Sequence, residues 1–306
     1  MKTEIIGAET PGAITRAVEV LRGGDVVALP TETVYGLAAN ALQVDAVLKI
    51  FEAKERPRFD PLIVHLPNRD WLVRLTSGYE TALVSALLDR FWPGPLTFIL
   101  PRTSLVPDVV AAGLETVAVR MSSHPIFREI LRAFGGPLAA PSANRFGRLS
   151  PTTAAHVAAE LDERIPLIVD AGPTTHGLES TIVAVRGGRI EILRPGPITE
   201  EELRAFGEVV NVSLGENPEA PGQLPNHYAP RTPLVLTKDL ATFRAEGKRI
   251  GKLKLNSADL RDAAANLFGQ LRELDAGGFD LIVAEEVPEI GLGRAIMDRL
   301  RRAAAR

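Results

Sequence analysis

VVALPTETVYGL, residues 26–37, is the stretch from which the fold can be read. Its first five residues, 26–30, are a short β-rich apolar run ending in proline, too brief for a helix and followed at once by hydroxyl and carboxylate side chains. Working outward, runs of the same kind recur at 62–66, 96–100, 117–121, 167–170 and 181–185, and segments with helical spacing lie between them at 44–53, 81–91, 126–134 and 153–161. The alternation predicts an α/β chain built on a twisted, mixed sheet, with the intervening helices favouring crossover connections over hairpins.

The pattern stops at NVSLGENPEAPGQLPNHYAPRTP, residues 211–233, which is rich in Pro, Gly and Asn and reads as a linker. It divides the chain into a domain at 1–210 and a smaller α/β unit at 234–306. In the smaller unit strands are expected at 234–237, 250–255 and 281–284, and helices at 240–245, 258–276 and 293–304. The central helix lines up Leu260, Ala264, Leu267, Leu271 and Leu274 on one face, with Ser257 as its expected N-cap and Gly277-Gly278 as its stop.

A length of 306 residues with 45% apolar content suits two domains with proper cores. The absence of cysteine excludes disulfides, thiolate nucleophiles and Cys-ligated zinc, and His65, His124, His156, His176 and His227 are too scattered for an HExxH site. No protein-held metal is expected. A formal charge of −3 argues against a generic nucleic-acid binder. The opening residues lack the basic flank and apolar core of a secretory signal, and no apolar stretch is long enough to cross a membrane, so a cytoplasmic location is expected.

Several short segments carry chemistry-bearing side chains. Thr31, Glu32 and Thr33 leave the first strand at its carboxyl end, where open α/β sheets bind ligands, or they cap a following helix. KERPRFDP, residues 54–61, places Lys54, Arg56 and Arg58 in a proline-bounded loop that could hold a polyphosphate, or that complements a helix dipole. AAPSAN, residues 139–144, with Ser150 beyond it, offers small residues and donors for an anion-binding turn, or simply caps the next helix. Glu179-Ser180-Thr181 opens a strand, and Arg194 is held by a Pro-Gly turn at the end of another. Arg120 lies within an apolar strand and needs an anion, supplied by the protein or by a substrate. If the Arg56 charge serves a substrate alone, Arg56→Ala should leave the thermal melt nearly unchanged.

In their order these segments resemble the threonylcarbamoyl-AMP synthase family, with its YrdC-type catalytic domain. PTETVYGL, the K-x-R of Lys54 and Arg56, the S-x-N of Ser142 and Asn144, STIV from Ser180, and LRPG around Arg194 are similar to that family's motifs. AANLF, LRELD and EEVPEIGLGRAIMDRL are similar to the C-terminal domain of its long form. The resemblance implies a YrdC-type domain followed by a linker acting as an active-site lid and a small Rossmann-like domain. It implies threonine binding by Thr33, His65, Arg120, Ala140 and Ser180. It implies ATP binding by Lys54, Arg56, Asp60, Thr116, Ser142, Asn144, Ser150, Arg194 and Tyr228. Lys54, Arg56 and His65 are the residues expected to take part in catalysis, with Mg²⁺ brought by ATP and Arg120 pairing with the threonine carboxylate. The implied nucleotidyltransferase reaction condenses L-threonine, bicarbonate and ATP for a downstream tRNA threonylcarbamoyl transferase complex, and direct tRNA contact is left open. The rival readings are a non-catalytic RNA-binding module of YrdC type and a carbamoyltransferase that handles carbamoyl-adenylate.

Overall fold

The computed structural model describes residues 2–212 and 228–305. Most of the linker, including His227, lies outside the described residues. In chain order the first unit contains β1 (Glu4–Gly7), α1 (Ala13–Arg22), β2 (Val27–Leu29), β3 (Gly36–Asn40), α2 (Val44–Lys54), β4 (Ile63–His65), α3 (Asp70–Leu75), α4 (Ala82–Phe91) and β5 (Leu96–Pro101). It continues through α5 (Asp108–Ala111), β6 (Thr116–Arg120), α6 (Pro125–Phe134), β7 (Leu138–Ala139), α7 (Ala154–Leu161), β8 (Leu167–Asp170), β9 (Thr181–Arg186), β10 (Arg189–Arg194), α8 (Glu200–Arg204) and β11 (Val209–Asn211). The second unit comprises β12 (Leu234–Thr237), β13 (Ile250–Leu253), α9 (Leu260–Ala276), β14 (Leu281–Glu285) and α10 (Leu292–Ala304).

The large sheet runs β1-β8-β2-β3-β7-β4-β6-β5-β9-β10-β11 and is mixed, as the sequence pattern predicts. Two hairpins depart from the expected crossovers. β2 returns directly into antiparallel β3, so Thr31, Glu32 and Thr33 cap no helix. β9 and β10 pair antiparallel across Gly187 and Gly188, whose φ values of +56° and +76° give the left-handed turn that a tight hairpin requires.

Side-chain alternation assigns the two faces. Val64, Phe98, Val119 and Val183 point to one face, where α2, α4, α5 and α7 cover them. Val27, Leu29, Ala38 and Leu138 point to the other, beneath Phe127, Ile130 and Leu131 of α6. That second face continues through Ile63, Ala118 and Ile182. His65, two residues from Ile63, and Arg120, two from Ala118, must also lie on this second face.

In the second unit β12, β14 and β13 form a parallel three-stranded sheet. Residues 240–245 are not helical. Asp239 accepts a hydrogen bond from Ala241 N at 2.8 Å and Thr242 Oγ1 reaches Asp239 O, so local side-chain bonds hold the backbone in turns instead. Asp259, not Ser257, caps α9 by accepting from the backbone N–H of Arg261 and Asp262. The predicted stop at Gly277 is where α9 ends.

The two units share one apolar cluster. Val34, Leu149 and Leu178 pack with Leu267, Phe268 and Leu271 of α9 and Ile296 and Leu300 of α10. Gly177, at φ +69°, lets the first unit meet α9, since a Cβ there would lie 2.5 Å from Ala264 O.

Candidate active site

Three walls meet over the second face of the sheet. The first is the β2–β3 turn. Thr31 Oγ1 donates to Val34 O at 2.6 Å and accepts from Thr33 N and Val34 N, which shapes residues 31–34 into a side-chain-supported turn. Arg120, rising from β6, donates through Nη1 to Thr33 Oγ1 at 3.0 Å and through Nε to Gly94 O at 3.2 Å. Its Nη2 lies 2.7 Å from Glu32 Oε1. That contact is a buried ion pair.

Glu32 is thus the protein anion for Arg120; the sequence places it at a candidate strand exit but assigns it neither to a substrate nor to Arg120. The signal lay in Arg120 itself, a cation on an apolar strand; nothing in the spacing identified which carboxylate would answer it. Burial alone would push the Glu32 carboxyl up, but Arg120 and the hydroxyl of Ser122 together hold it at about 2. His65 shares the wall, its ring 4.7 Å from that of Phe127. Burial and then the nearby Arg120 charge depress His65 to about 3, and its Nδ1 has no partner. A neutral histidine at ordinary pH orients a ligand better than it takes up a proton.

His65 also sets a pH response. Its folded value lies below the unfolded one of about 6.5, so stability is complete above that pH and declines as pH falls toward the folded value. Between pH 7 and 5 this one group should cost about 2 kcal/mol. Glu32, also depressed, loses its contribution only as pH falls from about 4.5 toward 2, so it is silent in that window. Urea midpoints at pH 7 and pH 5 test this: the fall should be smaller in His65→Gln than in the unsubstituted protein, and equal falls would contradict it.

The second wall comes from β9 and β10. Arg194 Nε and Nη2 donate to Ser180 O at 3.1 and 3.0 Å, and Nη2 also reaches Ser180 Oγ at 3.1 Å. Ser180 Oγ is 2.8 Å from Thr97 Oγ1. Tyr228, just beyond the undescribed linker residues, is held at φ +63° and is hydrogen-bonded to the Arg194 side chain. Ala229 N donates to Gly147 O, which fixes the segment against the first unit.

The third wall is built by the end of α2 and the turn after β7. Lys54 Nζ donates to the carbonyls of Ser142 and Asn144, remote in sequence, so it supports the turn from beneath and does not serve its own helix end. Burial, then the Arg56 charge, hold the ammonium well below its usual value. Arg56 Nη2 is 2.9 Å from Asp60 Oδ2 and donates to Pro61 O at 2.8 Å. Burial raises the Asp60 carboxyl despite this cation.

Thr33, Arg56, His65, Arg120, Ala140, Ser142, Ser180, Arg194 and Tyr228 line a single cavity of ≈ 40 Å³. The cavity lies across the sheet face and not at one common strand end, since β4 and β6 run opposite to β7. The remaining expected contacts stand outside its lining. Lys54 lies beneath the turn. Asp60 is drawn behind Arg56. Asn144 donates to Arg145 O and Arg148 O, with Oδ1 buried and unpartnered. Ser150 donates to Glu179, a lining residue that the sequence singles out beside Ser180 but assigns to no substrate. Thr116 shares the face of Arg120, four residues away along β6 or about 13 Å at the usual strand rise.

The Arg56–Asp60 pair changes the expectation for Arg56→Ala. The substitution would strand a buried carboxylate, and breaking such a pair costs about 3–5 kcal/mol, less whatever Asp60 recovers by taking a proton. Chemical unfolding should show this loss, and a paired Arg56→Gln, Asp60→Asn variant should recover most of it. An unchanged midpoint for Arg56→Ala would restore the simpler expectation.

Comparison with known proteins adds an independent line. A family model described as telomere recombination matches residues 19–196, and one described as threonylcarbamoyl-AMP synthase, C-terminal domain, matches residues 198–305. The threonylcarbamoyl-AMP synthase of Bacillus subtilis is 43% identical over 95% of this chain and 92% of its own. That of Pyrococcus abyssi is 40% identical over 94% of this chain and 92% of its own. The crystal structure of P. abyssi Sua5 complexed with L-threonine superposes with a TM-score of 0.93 at 39% identity, covering 99% of this chain and 98% of that one.

Proposed function

Because the chain belongs to the threonylcarbamoyl-AMP synthase family, we propose that its cavity binds L-threonine and directs its carbamate onto ATP. The threonine amine takes up bicarbonate with loss of water; a carbamate oxygen then attacks the α-phosphorus, and the bond to pyrophosphate breaks. The products are threonylcarbamoyl-AMP and pyrophosphate, which makes the protein a nucleotidyltransferase. No covalent enzyme intermediate is needed, and catalysis consists of placing two anions side by side and balancing the departing charge.

The observation that carries this reading is the convergence of three arginines, Arg56, Arg120 and Arg194, on one small cavity beside Thr33, His65 and Ser180. Buried cations gathered at one cavity need anions, and a substrate carboxylate and phosphates supply them. A guanidinium has five N–H donors, and Thr33 and Gly94 use two of those on Arg120, so donors remain for the threonine carboxylate. Glu32 remains beside them and suits an α-ammonium before it is deprotonated. Ala140 and Ser180 bound the side-chain end.

Arg56 and Arg194 face the same space from the other walls and suit phosphates, with Lys54 fixing the Ser142–Asn144 turn that borders them. A volume of ≈ 40 Å³ holds only a few water-sized groups, so a nucleotide would extend beyond it along the face that carries Thr116. Among the described residues no group of three or more His, Asp or Glu could hold a metal ion. In this reading Mg²⁺ comes with the substrate, as the Mg–ATP complex with phosphate and water ligands. Among the described residues no helix is long and apolar enough to cross a membrane. The product is an activated carbamoyl donor, and its consumer in this reading is a tRNA threonylcarbamoyl transferase.

Pyrophosphate release measured with ATP, bicarbonate and each amino acid in turn tests the proposal. Release that requires both threonine and bicarbonate supports it. Release with carbamoyl phosphate in place of threonine and bicarbonate would favour a carbamoyltransferase, and RNA binding without any release would favour a non-catalytic module.

A further inference from the structure

Helix α10 of the second unit sends one side chain through the shared interface toward the cavity. Among the described residues Arg299 is the largest of the fully buried side chains. Its Nε donates to Glu179 Oε2 at 2.7 Å, its Nη2 donates to Pro195 O at 3.0 Å, and its guanidinium carbon lies 5.0 Å from the centre of the Tyr228 ring. Asp298, next to it on α10, takes its remaining terminal nitrogen. Each of the three distant contacts is a part or a neighbour of the cavity wall. Glu179 lines the cavity and precedes Ser180; Pro195 follows Arg194; Tyr228 bonds to Arg194.

Burying a guanidinium is unfavourable, and an apolar side chain of similar volume would serve packing at least as well. What only the arginine fork can do is hold a carboxylate, a backbone carbonyl and an aromatic face at fixed separations. Glu179 is fixed from both sides, since its other oxygen accepts from Ser150. Gly196 confirms how tightly this wall is set: its Cα stands where a Cβ would meet Thr181 N at 2.4 Å.

We propose that Arg299 is a positioning residue of the nucleotide site, through which the second unit sets the spacing between the Arg194–Tyr228 wall and the strand that begins after Ser180. It does not line the cavity and acts only through Glu179, the Pro195 turn and Tyr228. The inference rests on the reading of the cavity as a threonine and ATP site, and it gives the second unit a part in catalysis beyond support.

The test uses the full chain with two variants. Arg299→Lys keeps a cation beside Glu179 but cannot span to Pro195 and Tyr228 together. The double variant Glu179→Gln, Arg299→Met removes both charges and so leaves no uncompensated ion in the interface. For each, the KM values for ATP and threonine and kcat are measured together with the thermal melt and the affinity for a non-hydrolysable ATP analogue by calorimetry.

The expected result for both is a rise of about tenfold or more in ATP KM and in analogue Kd, the loss of a charge-assisted contact. Threonine KM should rise less than ATP KM, since Arg299 reaches the threonine end only indirectly, through Glu179 beside Ser180, and no Arg299 contact reaches the Thr33–Arg120 wall. A purely structural role predicts instead a lower melt and a lower kcat with both KM values unchanged, and that pattern would overturn the proposal. So would unaltered analogue affinity in Arg299→Lys. Analogue affinity is read independently of turnover: an unsubstituted protein that binds the analogue yet releases no pyrophosphate overturns the proposed reaction and leaves Arg299 to be judged by affinity. An unsubstituted protein that binds no analogue overturns both.

Discussion

Arg120→Met should abolish threonine-dependent pyrophosphate release, lowering kcat/KM for threonine by about 10³-fold or more, and should destabilise the fold by about 3–5 kcal/mol. The two effects have separate causes. Activity is lost because the guanidinium is the donor set offered to the substrate carboxylate, with Thr33 and Gly94 holding it in place. Stability is lost because the Glu32 carboxyl, which Arg120 and Ser122 hold low against its burial, would be left buried with no cation beside it, less whatever it recovers by taking a proton. A second substitution separates them: Glu32→Gln, Arg120→Met should regain most of the stability and none of the activity. Recovery of turnover in the double variant would show that Arg120 exists only to neutralise Glu32.

Gly196→Ala should be nearly as damaging, although it adds one methyl group. A Cβ at that position would lie 2.4 Å from Thr181 N, 2.6 Å from Glu179 O and 2.7 Å from Ser180 C. All are backbone atoms, which cannot swing aside as a flexible side chain would. The Pro195–Gly196 turn must therefore lift away from the start of β9, carrying Arg194 off the Ser180 carbonyl and hydroxyl it now binds. Overpacking of this kind costs about 1–3 kcal/mol, and a displacement near 1 Å at a site that works by positioning can remove about 10²-fold in rate. Unfolding midpoints and steady-state kinetics would check both figures. An alanine variant with unaltered ATP KM and kcat would mean that the turn has room the present geometry denies.

What was legible beforehand and what was not divide along physical lines. Runs such as 117–121 and 181–185 declared their strands because β-branched residues cluster there, and helices such as α4 and α6 declared theirs by spacing. The gathering of Thr33, Arg56, His65, Arg120, Ser180 and Arg194 around one cavity was anticipated by family motifs and not by spacing. Partnerships were opaque. On sequence Lys54 suits either a polyphosphate or its own helix end, and in the structure it is spent on two carbonyls about ninety residues away. Glu32 and Asp60 were not recognised as the counterions of Arg120 and Arg56, since a sequence does not state which loop will fold over which strand. The β9–β10 hairpin could have been seen, because Gly187-Gly188 between two apolar runs is a known turn signal. Arg299 could not, being one of several cations in a helix of which Arg301 is exposed and Arg302 is also buried.

The central claim is spatial: an amino-acid carboxylate and nucleotide phosphates meet over one sheet face. A crystal structure with L-threonine and a non-hydrolysable ATP analogue addresses it most directly. The carboxylate should lie within hydrogen-bond distance of Arg120 and Thr33, with phosphate oxygens reaching Arg56 and Arg194. Threonine bound elsewhere, or a nucleotide that leaves both Arg56 and Arg194 untouched, would contradict the account.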